Sequence, residues 1–168
     1  MTTYGPNGAG TGTNTTGAGS AAWVNPGNVT ANDASYAVVT MNDAAACFAL
    51  DTPIDTPRGP VAIINVMIGD VVWDAWHLGV TVYDIIETEA AEYLVLEFSD
   101  GDRISCTFDH PFLCGDAWVV AGLLTEGAEC SGATLTSKVL VRERIRVKNL
   151  RVDGSHTFIA GRRGVHNK

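Results

Sequence analysis

Three short stretches of the sequence contain side chains that can break or rearrange peptide bonds. The stretch ACFALDTPIDTPRG places Cys47 just before a compact Asp-Thr-Pro turn, and CTFDHPFL separates Thr107 from His110 by two residues. The stretch GVHNK contains a histidine followed by Asn167 and a lysine. A thiolate is a strong nucleophile, an imidazole carries protons near neutral pH, and an asparagine side chain can attack its own backbone carbonyl. Together these residue types indicate chemistry on the backbone itself.

Each stretch alone also has an ordinary structural explanation, and three other arrangements remain open. A single cysteine is most often a buried packing residue. A cysteine protease acting on other proteins would use Cys47 and His110, although no recognised protease signature surrounds the cysteine. The tryptophans Trp73, Trp76 and Trp118 fit packing better than a ligand platform. A zinc site without any C-x2-C pair would draw on Cys106, His110, Cys114 and Cys130.

Charge is distributed unevenly along the chain. The 168 residues carry a net charge of −8 and are 46% hydrophobic, so most of the chain can bury a core. Residues 138–168 hold nine of the eleven basic residues and two acids, a net +7, which leaves −15 for residues 1–137. This acidic balance argues against nucleic acids and anionic membranes as partners. We therefore expect the basic final segment to pack against the acidic remainder of the same fold.

The sequence indicates neither a membrane span nor a secretion signal. No apolar run approaches the roughly 20 residues that a span requires, and the N-terminus lacks the basic and apolar regions of a signal peptide. The cysteines are too few and too scattered for a disulfide scaffold, so we expect free thiols in a reducing compartment. The cysteines are Cys47, Cys106, Cys114 and Cys130.

Composition divides the chain into a flank and a strand-rich domain. Residues 1–20 contain six glycines, six threonines and no charge, which is typical of a flexible linker. Residues 92–108 alternate apolar and polar side chains on both sides of Asp100-Gly101, a strong hairpin signal. The run KVLVRERIRVKNLRV alternates in the same way. These patterns predict an all-β domain over residues 47–167.

Four motifs occur in order from Cys47 to Asn167. They are C-F-x-x-D-T-P at the start, T-x-x-H-P in the middle, N-L-x-V-D-G-x-H-x-F near the end and a closing V-H-N. In this order they resemble the Hint (hedgehog/intein) family of self-processing domains. The resemblance implies a flattened, horseshoe-like all-β fold whose two ends lie close together at one active site. It also implies three parts, namely a flanking segment 1–46, a Hint domain 47–167 and a downstream residue, Lys168.

For the start of the domain, the resemblance implies an acyl shift. The Cys47 thiolate would attack the Ala46 carbonyl and convert the peptide bond between them into a thioester. His110 suits the transfer of a proton to the leaving nitrogen. Thr107 can hold the tetrahedral oxygen or orient the scissile amide. Asp109 is expected either to tune His110 or to cap the turn.

For the end of the domain, the resemblance implies cyclisation of Asn167 to a succinimide, which cleaves the Asn167–Lys168 bond. His166 is placed to polarise that carbonyl or to protonate the leaving amine, and His156 matches a further histidine that supports this step. Asn149 occupies a position where many family members carry aspartate. An amide can form hydrogen bonds but cannot act as a base, so we expect weaker coupling between the two ends.

Lys168 is the main departure from the splicing members of the family. Those members need Cys, Ser or Thr after the terminal asparagine, because that residue accepts the acyl chain. An ammonium group is a poor nucleophile, so we expect cleavage at one or both ends rather than efficient splicing, as in the bacterial intein-like subclass. Splicing would need chain beyond Lys168 and another acyl route.

The expected substrate is the flanking polypeptide of the chain itself, with water, a thiol or an amine as the acyl acceptor. No metal or other cofactor is expected to take part, and we expect a monomer in the bacterial cytoplasm. Residues 21–39 also resemble, over a short stretch, the opening strands of a bacteriophage tail or virion protein, which leaves an association with virions open. The alternative function is an inert Hint-like module of such a structural protein.

Overall fold

The computed structural model of the chain describes residues 46–167. The linker predicted for residues 1–20, the phage-like stretch 21–39 and the downstream Lys168 lie outside the described residues. Within the described range, the regular elements are strands and two short 3-10 helices. This composition confirms the predicted all-β class. No helix in this part of the chain is long and apolar enough to cross a membrane.

The described domain contains fourteen short strands, numbered here in chain order. The first seven are β1 (Phe48–Ala49), β2 (Pro53–Thr56), β3 (Gly59–Ala62), β4 (Val71–Trp73), β5 (Gly79–Ala90), β6 (Tyr93–Phe98) and β7 (Arg103–Cys106). The other seven are β8 (Pro111–Cys114), β9 (Ala117–Val120), β10 (Glu129–Cys130), β11 (Ala133–Val141), β12 (Ile145–Val152), β13 (Thr157–Ala160) and β14 (Arg163–His166). The two 3-10 helices span Ile63–Asn65 and Ala121–Leu123.

The strands form two sheets with long-range neighbours. The eight-stranded sheet has the order β10-β11-β6-β7-β1-β12-β5-β4, and the six-stranded sheet has the order β3-β2-β13-β14-β8-β9. Strand β1, which follows Cys47, lies between β7 and β12 inside the larger sheet. Strand β14, which ends at His166, lies between β13 and β8 inside the smaller sheet. Interior strands of two different sheets therefore carry the two ends of the domain.

Two tight turns set the register of hairpins that matter for the site. The Asp100-Gly101 turn joins β6 to β7, with a φ of 88° at Gly101, and confirms the predicted hairpin. Gly161 and Arg162 join β13 to β14 with φ values of 52° and 62°, as a two-residue type I′ turn requires. A Cβ atom on Gly161 would lie 2.6 Å from the Ile104 side chain. The close approach of these two chain segments therefore requires glycine.

The basic run KVLVRERIRVKNLRV contributes to both β11 and β12. Strand β12 pairs with β5 along its whole length. Basic side chains of β12 meet acidic side chains of β5, with ion pairs between Arg146 and Glu87 and between Arg151 and Asp84. These contacts confirm that the basic final segment packs against the acidic part of the same fold.

An aromatic cluster fills the space between the two sheets. Phe48 on β1 lies with its ring centroid 6.2 Å from that of Phe112 on β8 and 6.2 Å from that of Phe158 on β13. All three phenylalanines and His110 are completely buried. Because Phe158 pairs with Val165 on β14, the cluster joins the first strand of the domain to the last strand pair. Both ends of the domain are thereby anchored on one core.

The prediction that all four cysteines are free thiols is wrong. Cys114 on β8 and Cys130 on β10 form a disulfide with their Cα atoms 3.9 Å apart, whereas Cys47 and Cys106 are free and buried. The bridge forms because β8 and β10, which belong to different sheets, lie side by side. A spacing of 16 residues in the sequence does not indicate that proximity. The disulfide also removes two of the four ligands from the zinc arrangement considered above.

Arg163 brings a buried positive charge into the fold. Its side chain is 1% exposed, and Nη2 donates to both carboxylate oxygens of Asp100 at 2.6 Å. Its guanidinium carbon lies 4.3 Å from the centroid of the Phe98 ring, and Asp102 adds a second carboxylate at 3.4 Å. A guanidinium removed from water needs such partners because its lost hydration is otherwise uncompensated. This ion pair ties the β6–β7 turn to β14.

Replacing Asp100 with asparagine should lower the free energy of unfolding by about 3 kcal/mol, because the buried guanidinium loses its main countercharge. The exposed pair of Arg144 and Glu89 provides a matched control, since its side chains are 74% and 57% exposed. There the same chemical change, Glu89→Gln, should cost less than about 0.5 kcal/mol. Urea unfolding measures both variants, and equal losses would contradict a special role for the buried pair.

Candidate active site

Cys47 is a buried thiol immediately before β1. The residue has no exposed surface and packs with Ala90, Val147 and Ile145. Burial raises the pKa of the Cys47 thiol to about 12, and the Asp109 carboxylate adds to the increase. The thiol is therefore protonated at neutral pH, and it must lose its proton during any reaction in which it acts as a nucleophile.

Thr107 holds the backbone of Cys47 through its hydroxyl and its backbone N–H. The Cys47 N–H donates to Thr107 Oγ1 at 2.9 Å, and the Thr107 N–H donates to the Cys47 carbonyl at 2.9 Å. These bonds extend the antiparallel pairing of β1 with β7, in which Phe48 lies opposite Cys106. The threonine hydroxyl is consequently placed on the nitrogen of the peptide bond that follows Ala46.

Asp109 lies on the other side of the same hydroxyl. Thr107 Oγ1 donates to Asp109 Oδ1 at 3.1 Å and lies 3.4 Å from the Cys47 carbonyl oxygen. A chain of polar contacts thus runs from the Cys47 nitrogen through the hydroxyl to a carboxylate. The Asp109 carboxylate therefore lies on Thr107, and its role in tuning His110 or capping the turn stays a prediction.

His110 lies inside the aromatic cluster. Its imidazole centroid is 4.0 Å from the Phe48 ring at an interplanar angle of 36°, and it meets Phe112 and Phe158 edge-on at 6.0 and 6.4 Å. Its backbone N–H donates to the Thr107 carbonyl at 3.5 Å, which closes the turn between the two residues. The imidazole therefore contacts the residue that directly follows the predicted nucleophile.

Asn167 is held by both of its N–H groups at the other end of the domain. Its backbone N–H donates to the His156 carbonyl at 2.8 Å, and its side-chain Nδ2 donates to the Val152 carbonyl at 3.3 Å. The residue is 6% exposed. Its Oδ1 is buried and has no hydrogen-bond partner among residues 46–167. Hydrogen bonds thus orient the amide nitrogen that cyclisation would use.

The two predicted C-terminal histidines lie beside Asn167. The His166 ring packs edge-on against Trp118 at 5.4 Å and lies 6.5 Å from the His156 ring. Burial lowers the pKa of His166, the nearby His156 lowers it further, and a backbone hydrogen bond with Asn167 opposes the change. His156 Nδ1 lies 3.1 Å from the Val152 carbonyl oxygen. At neutral pH His166 is therefore mainly neutral and able to accept a proton.

Asn149 is buried on β12, where it pairs with Ile86. Its side-chain Oδ1 accepts a hydrogen bond from the Leu150 N–H at 2.9 Å. Among the hydrogen bonds of the described residues, this local contact is the one its side chain makes. The pairing of β1 with β12, with Phe48 opposite Lys148 and Ala49 opposite Val147, brings Asn149 next to the position of Cys47 at the start of the domain.

The predicted residues form two groups with His110 in the core between them. Members of the first group share the backbone contact around the predicted nucleophile, and they are Ala46, Cys47, Thr107 and Asp109. Members of the second group surround the terminal amide, and they are His156, His166 and Asn167. Between residues 46 and 167, no cluster of three or more histidine, cysteine or acidic side chains is arranged to hold a metal ion. The two groups contain a thiol, a side-chain amide and histidines that can carry protons, and they lie next to the peptide bonds at the two ends of the domain.

Sequence reasoning missed the residues that support the second group. Val152 holds the Asn167 amide through its backbone carbonyl. A backbone contact of this kind cannot be predicted from the type of side chain. Asp74 and Ser155 form a hydrogen bond at 2.9 Å that links two loops distant in sequence. Both residues occur in turn-forming stretches, WDAWHLG and VDGSH, which is a signal for local turns. That signal does not reveal the long-range contact.

Several solved structures are similar to this chain. A bacterial intein-like domain from Clostridium thermocellum is 32% identical, with a TM-score of 0.66 over 72% of this chain and 98% of that domain. The gp41-1 intein is 21% identical, with a TM-score of 0.65 over 74% of this chain and all of its own length, 100%. A DnaB intein from Synechocystis is 20% identical, with a TM-score of 0.66 over 74% of this chain and 99% of that intein. Neither a protein-family model nor a curated protein sequence matches the chain.

The gp41-1 and DnaB inteins share the fold with this chain, which is the flattened, horseshoe-like all-β arrangement expected from the four motifs. The Clostridium thermocellum domain adds sequence identity of 32% over nearly its whole length. With the motifs placed at the two anchored ends of one core, these similarities establish the family. The chain belongs to the family of inteins and bacterial intein-like domains.

Proposed function

We propose that the domain cleaves its own flanking peptide bonds, after Ala46 and after Asn167. The observation that carries the proposal is the 2.9 Å hydrogen bond between the Cys47 nitrogen and the Thr107 hydroxyl. This nitrogen is the leaving atom of an acyl shift, so the threonine contacts the atom that must change its bonding. Membership of the family adds support, since a Hint-type fold implies self-processing.

The first proposed reaction is an N-to-S acyl shift. The Cys47 sulfur attacks the Ala46 carbonyl carbon, a C–S bond forms, and the C–N bond breaks to leave a thioester and a free amine. The thiol loses one proton and the nitrogen gains one, so the step consumes no proton overall. His110 is the proposed carrier of this proton. Thr107, with its hydroxyl held by Asp109, orients the leaving nitrogen.

The second proposed reaction is cyclisation of Asn167. Its Nδ2 attacks its own carbonyl carbon, the bond to Lys168 breaks, and a succinimide remains at the new C-terminus. Nδ2 loses a proton and the departing lysine nitrogen gains one. His166 suits the transfer because burial lowers its pKa and leaves it able to accept the proton. His156 contributes through the Val152 carbonyl that also holds the amide.

The proposed outcome is cleavage rather than efficient splicing. Lys168 follows the terminal asparagine, and its ammonium group cannot accept the acyl chain in the way that a cysteine, serine or threonine does. Water, a thiol or an amine would resolve the thioester instead. The substrate is the flanking polypeptide of the same chain, each molecule reacts once, and we propose that it acts as a monomer.

The competing proposal is an inert Hint-like module of a larger structural protein. The observation in its favour is the pKa of Cys47, which burial raises to about 12. At pH 7.5 such a thiol exists as thiolate in only a few molecules in a hundred thousand, by the usual titration relation. A site of this kind reacts slowly unless the proton is removed within the site.

The first test follows release of the N-terminal flank. With a carrier protein fused ahead of residue 1, hydroxylamine or dithiothreitol should release a fragment ending at Ala46, because both reagents attack thioesters much faster than amides. Cys47→Ala should abolish the release, whereas Cys106→Ala removes another buried thiol and should retain it. Mass spectrometry identifies the fragment. A wild-type chain that stays intact for days with hydroxylamine would instead favour the inert module.

The pH dependence of this release tests the proton transfer. A thiolate together with a protonated imidazole is equally populated at every pH between the two pKa values, and its population falls only above the thiol pKa. Because burial raises the pKa of Cys47 to about 12, the release rate with excess hydroxylamine should stay level from pH 7.5 to 10. An ordinary cysteine, with a pKa of about 8.5, would give a tenfold fall per pH unit above that value. Such a fall would contradict the assigned pKa.

The second half of the reaction is tested with a reporter peptide attached after Lys168. We expect slow release of a peptide beginning with Lys168, and a succinimide or its hydrolysis product at residue 167. Asn167→Ala should abolish release because alanine has no amide to cyclise, while Cys47→Ala should leave it within about twofold if the two ends are weakly coupled. Mass spectrometry of both products measures the rates. A stable reporter on the wild-type chain would rule out C-terminal cleavage.

A further inference from the structure

The turn formed by residues 152–156 is the structure that holds Asn167. Its first and last carbonyl groups, those of Val152 and His156, accept the two hydrogen bonds from the asparagine side chain and backbone. His156 has a φ of 57°, in the left-handed region that a residue with a Cβ adopts at an energetic cost. A turn with this conformation needs external contacts to keep both carbonyl groups in place.

One such contact is a buried carboxylate outside the predicted site. Asp74 is 2% exposed and lies after β4, in the turn that leads into β5. Its Oδ1 accepts hydrogen bonds from the N–H groups of Trp76 and Leu78 at 2.9 and 2.8 Å. These bonds satisfy the backbone N–H groups of the turn. Its second oxygen, Oδ2, accepts the Ser155 hydroxyl at 2.9 Å across a sequence separation of 81 residues, which the local turn does not require.

The Ser155 hydroxyl extends the link to the next strand. It lies 2.9 Å from Thr157 Oγ1, and the Ala75 N–H donates to that same threonine oxygen at 3.1 Å. Thr157 is the residue that pairs with His166 across β13 and β14. The Asp74 turn is therefore connected to both sides of His156, through the residue before it and the residue after it.

A separate pair of contacts holds the beginning of the same turn. The Asp153 N–H donates to the Thr81 carbonyl at 3.0 Å, and the Thr81 N–H donates to Asp153 Oδ1 at 2.8 Å. Strand β5, in which Thr81 lies, thus fixes the side of the turn next to Val152. The His156 side has one bond within the turn, from its N–H to the Asp153 carbonyl at 3.3 Å. Asp74 and Ser155 add a contact from outside the turn, next to one of the two carbonyl groups that orient Asn167.

We propose that Asp74 and Ser155 are positioning residues for the cyclisation of Asn167. This inference rests on the proposed C-terminal cleavage. Ring closure requires Nδ2 to approach its own carbonyl carbon along a narrow range of directions, and small displacements of a reacting group strongly affect such rates. The carboxylate acts by holding the serine hydroxyl, and the serine fixes the backbone at His156. Among the hydrogen bonds of residues 46–167, neither residue has one to Asn167.

The experiment compares Ser155→Ala with the wild type in the chain that carries a reporter after Lys168. Loss of the hydroxyl should slow release of the reporter about tenfold, the effect of about 1.4 kcal/mol in a barrier. Hydroxylamine-dependent release at Cys47 should remain within about twofold, since that end has its own contacts. Ser155→Thr keeps a hydroxyl and should restore most of the rate.

A control separates positioning from a general loss of stability. Ser99→Ala removes a serine hydroxyl outside this turn, which accepts a hydrogen bond from the Thr134 N–H at 3.0 Å. It should leave both releases unchanged. If Ser155→Ala slowed both releases equally, or if Ser155→Thr failed to restore the rate, the positioning role would be wrong.

Hydrogen exchange keeps the inference testable even if the chain does not cleave. In Ser155→Ala, the backbone and Nδ2 protons of Asn167 should exchange about tenfold faster with solvent, while amides of β6 and β7 keep their protection. Unchanged exchange at Asn167 would overturn the inference. A wild-type chain that holds its reporter would instead overturn the proposed cleavage, so the two failures are distinguishable.

Discussion

The pair of 2.9 Å hydrogen bonds between Cys47 and Thr107 is the constraint on which the rest of the site depends. Strand β1 has only two residues, so it cannot hold its position by its own length. It is instead placed by β7 on one side and β12 on the other. That placement directs Phe48 into the aromatic cluster, where it meets the imidazole of His110 and the ring of Phe158. Fold stability and the geometry of the first peptide bond thus have a common origin.

The same burial that positions the groups proposed to react also opposes their ionisation. A thiol surrounded by apolar side chains cannot easily carry a charge, and the neighbouring carboxylate of Asp109 opposes the charge further. Burial lowers the pKa of His166 rather than raising it, because the charged form of an imidazole is the protonated one. Both effects favour uncharged groups in the resting protein. Under the proposed function, such a site would hold its reacting groups in position without letting them react at once.

The sequence was sufficient for the fold class and for the local hairpins. Period-two alternation and the Asp100-Gly101 pair depend on neighbouring residues, so they can be read from the chain directly. The family resemblance placed Cys47, Thr107, His110 and Asn167 in a common order. The structure places Cys47 and Thr107 at one anchored end of the domain, Asn167 at the other, and His110 in the core. Their roles in the reaction stay predictions.

What could not be predicted depends on contacts between distant parts of the chain. The disulfide requires β8 and β10 to become neighbours, and the Asp74–Ser155 contact requires a turn before β5 to meet a turn before β13. For Asp109, spacing left two roles open, tuning the adjacent histidine or capping the turn. In the folded chain its carboxylate meets the threonine two positions earlier. Side-chain direction, which spacing alone does not give, determines this contact.

The bond between Cys114 and Cys130 closes a covalent ring around β9 and the second 3-10 helix. The two ends proposed to react lie on opposite sides of this ring in the sequence, with Cys47 before it and Asn167 after it. A single cut inside the ring would therefore yield two fragments, each carrying one reactive end, that remain one covalent molecule. Reduction would then convert this molecule into two separable polypeptides held by their strand pairing alone. The disulfide thus keeps the two halves covalently joined even when the backbone between Cys114 and Cys130 is cut.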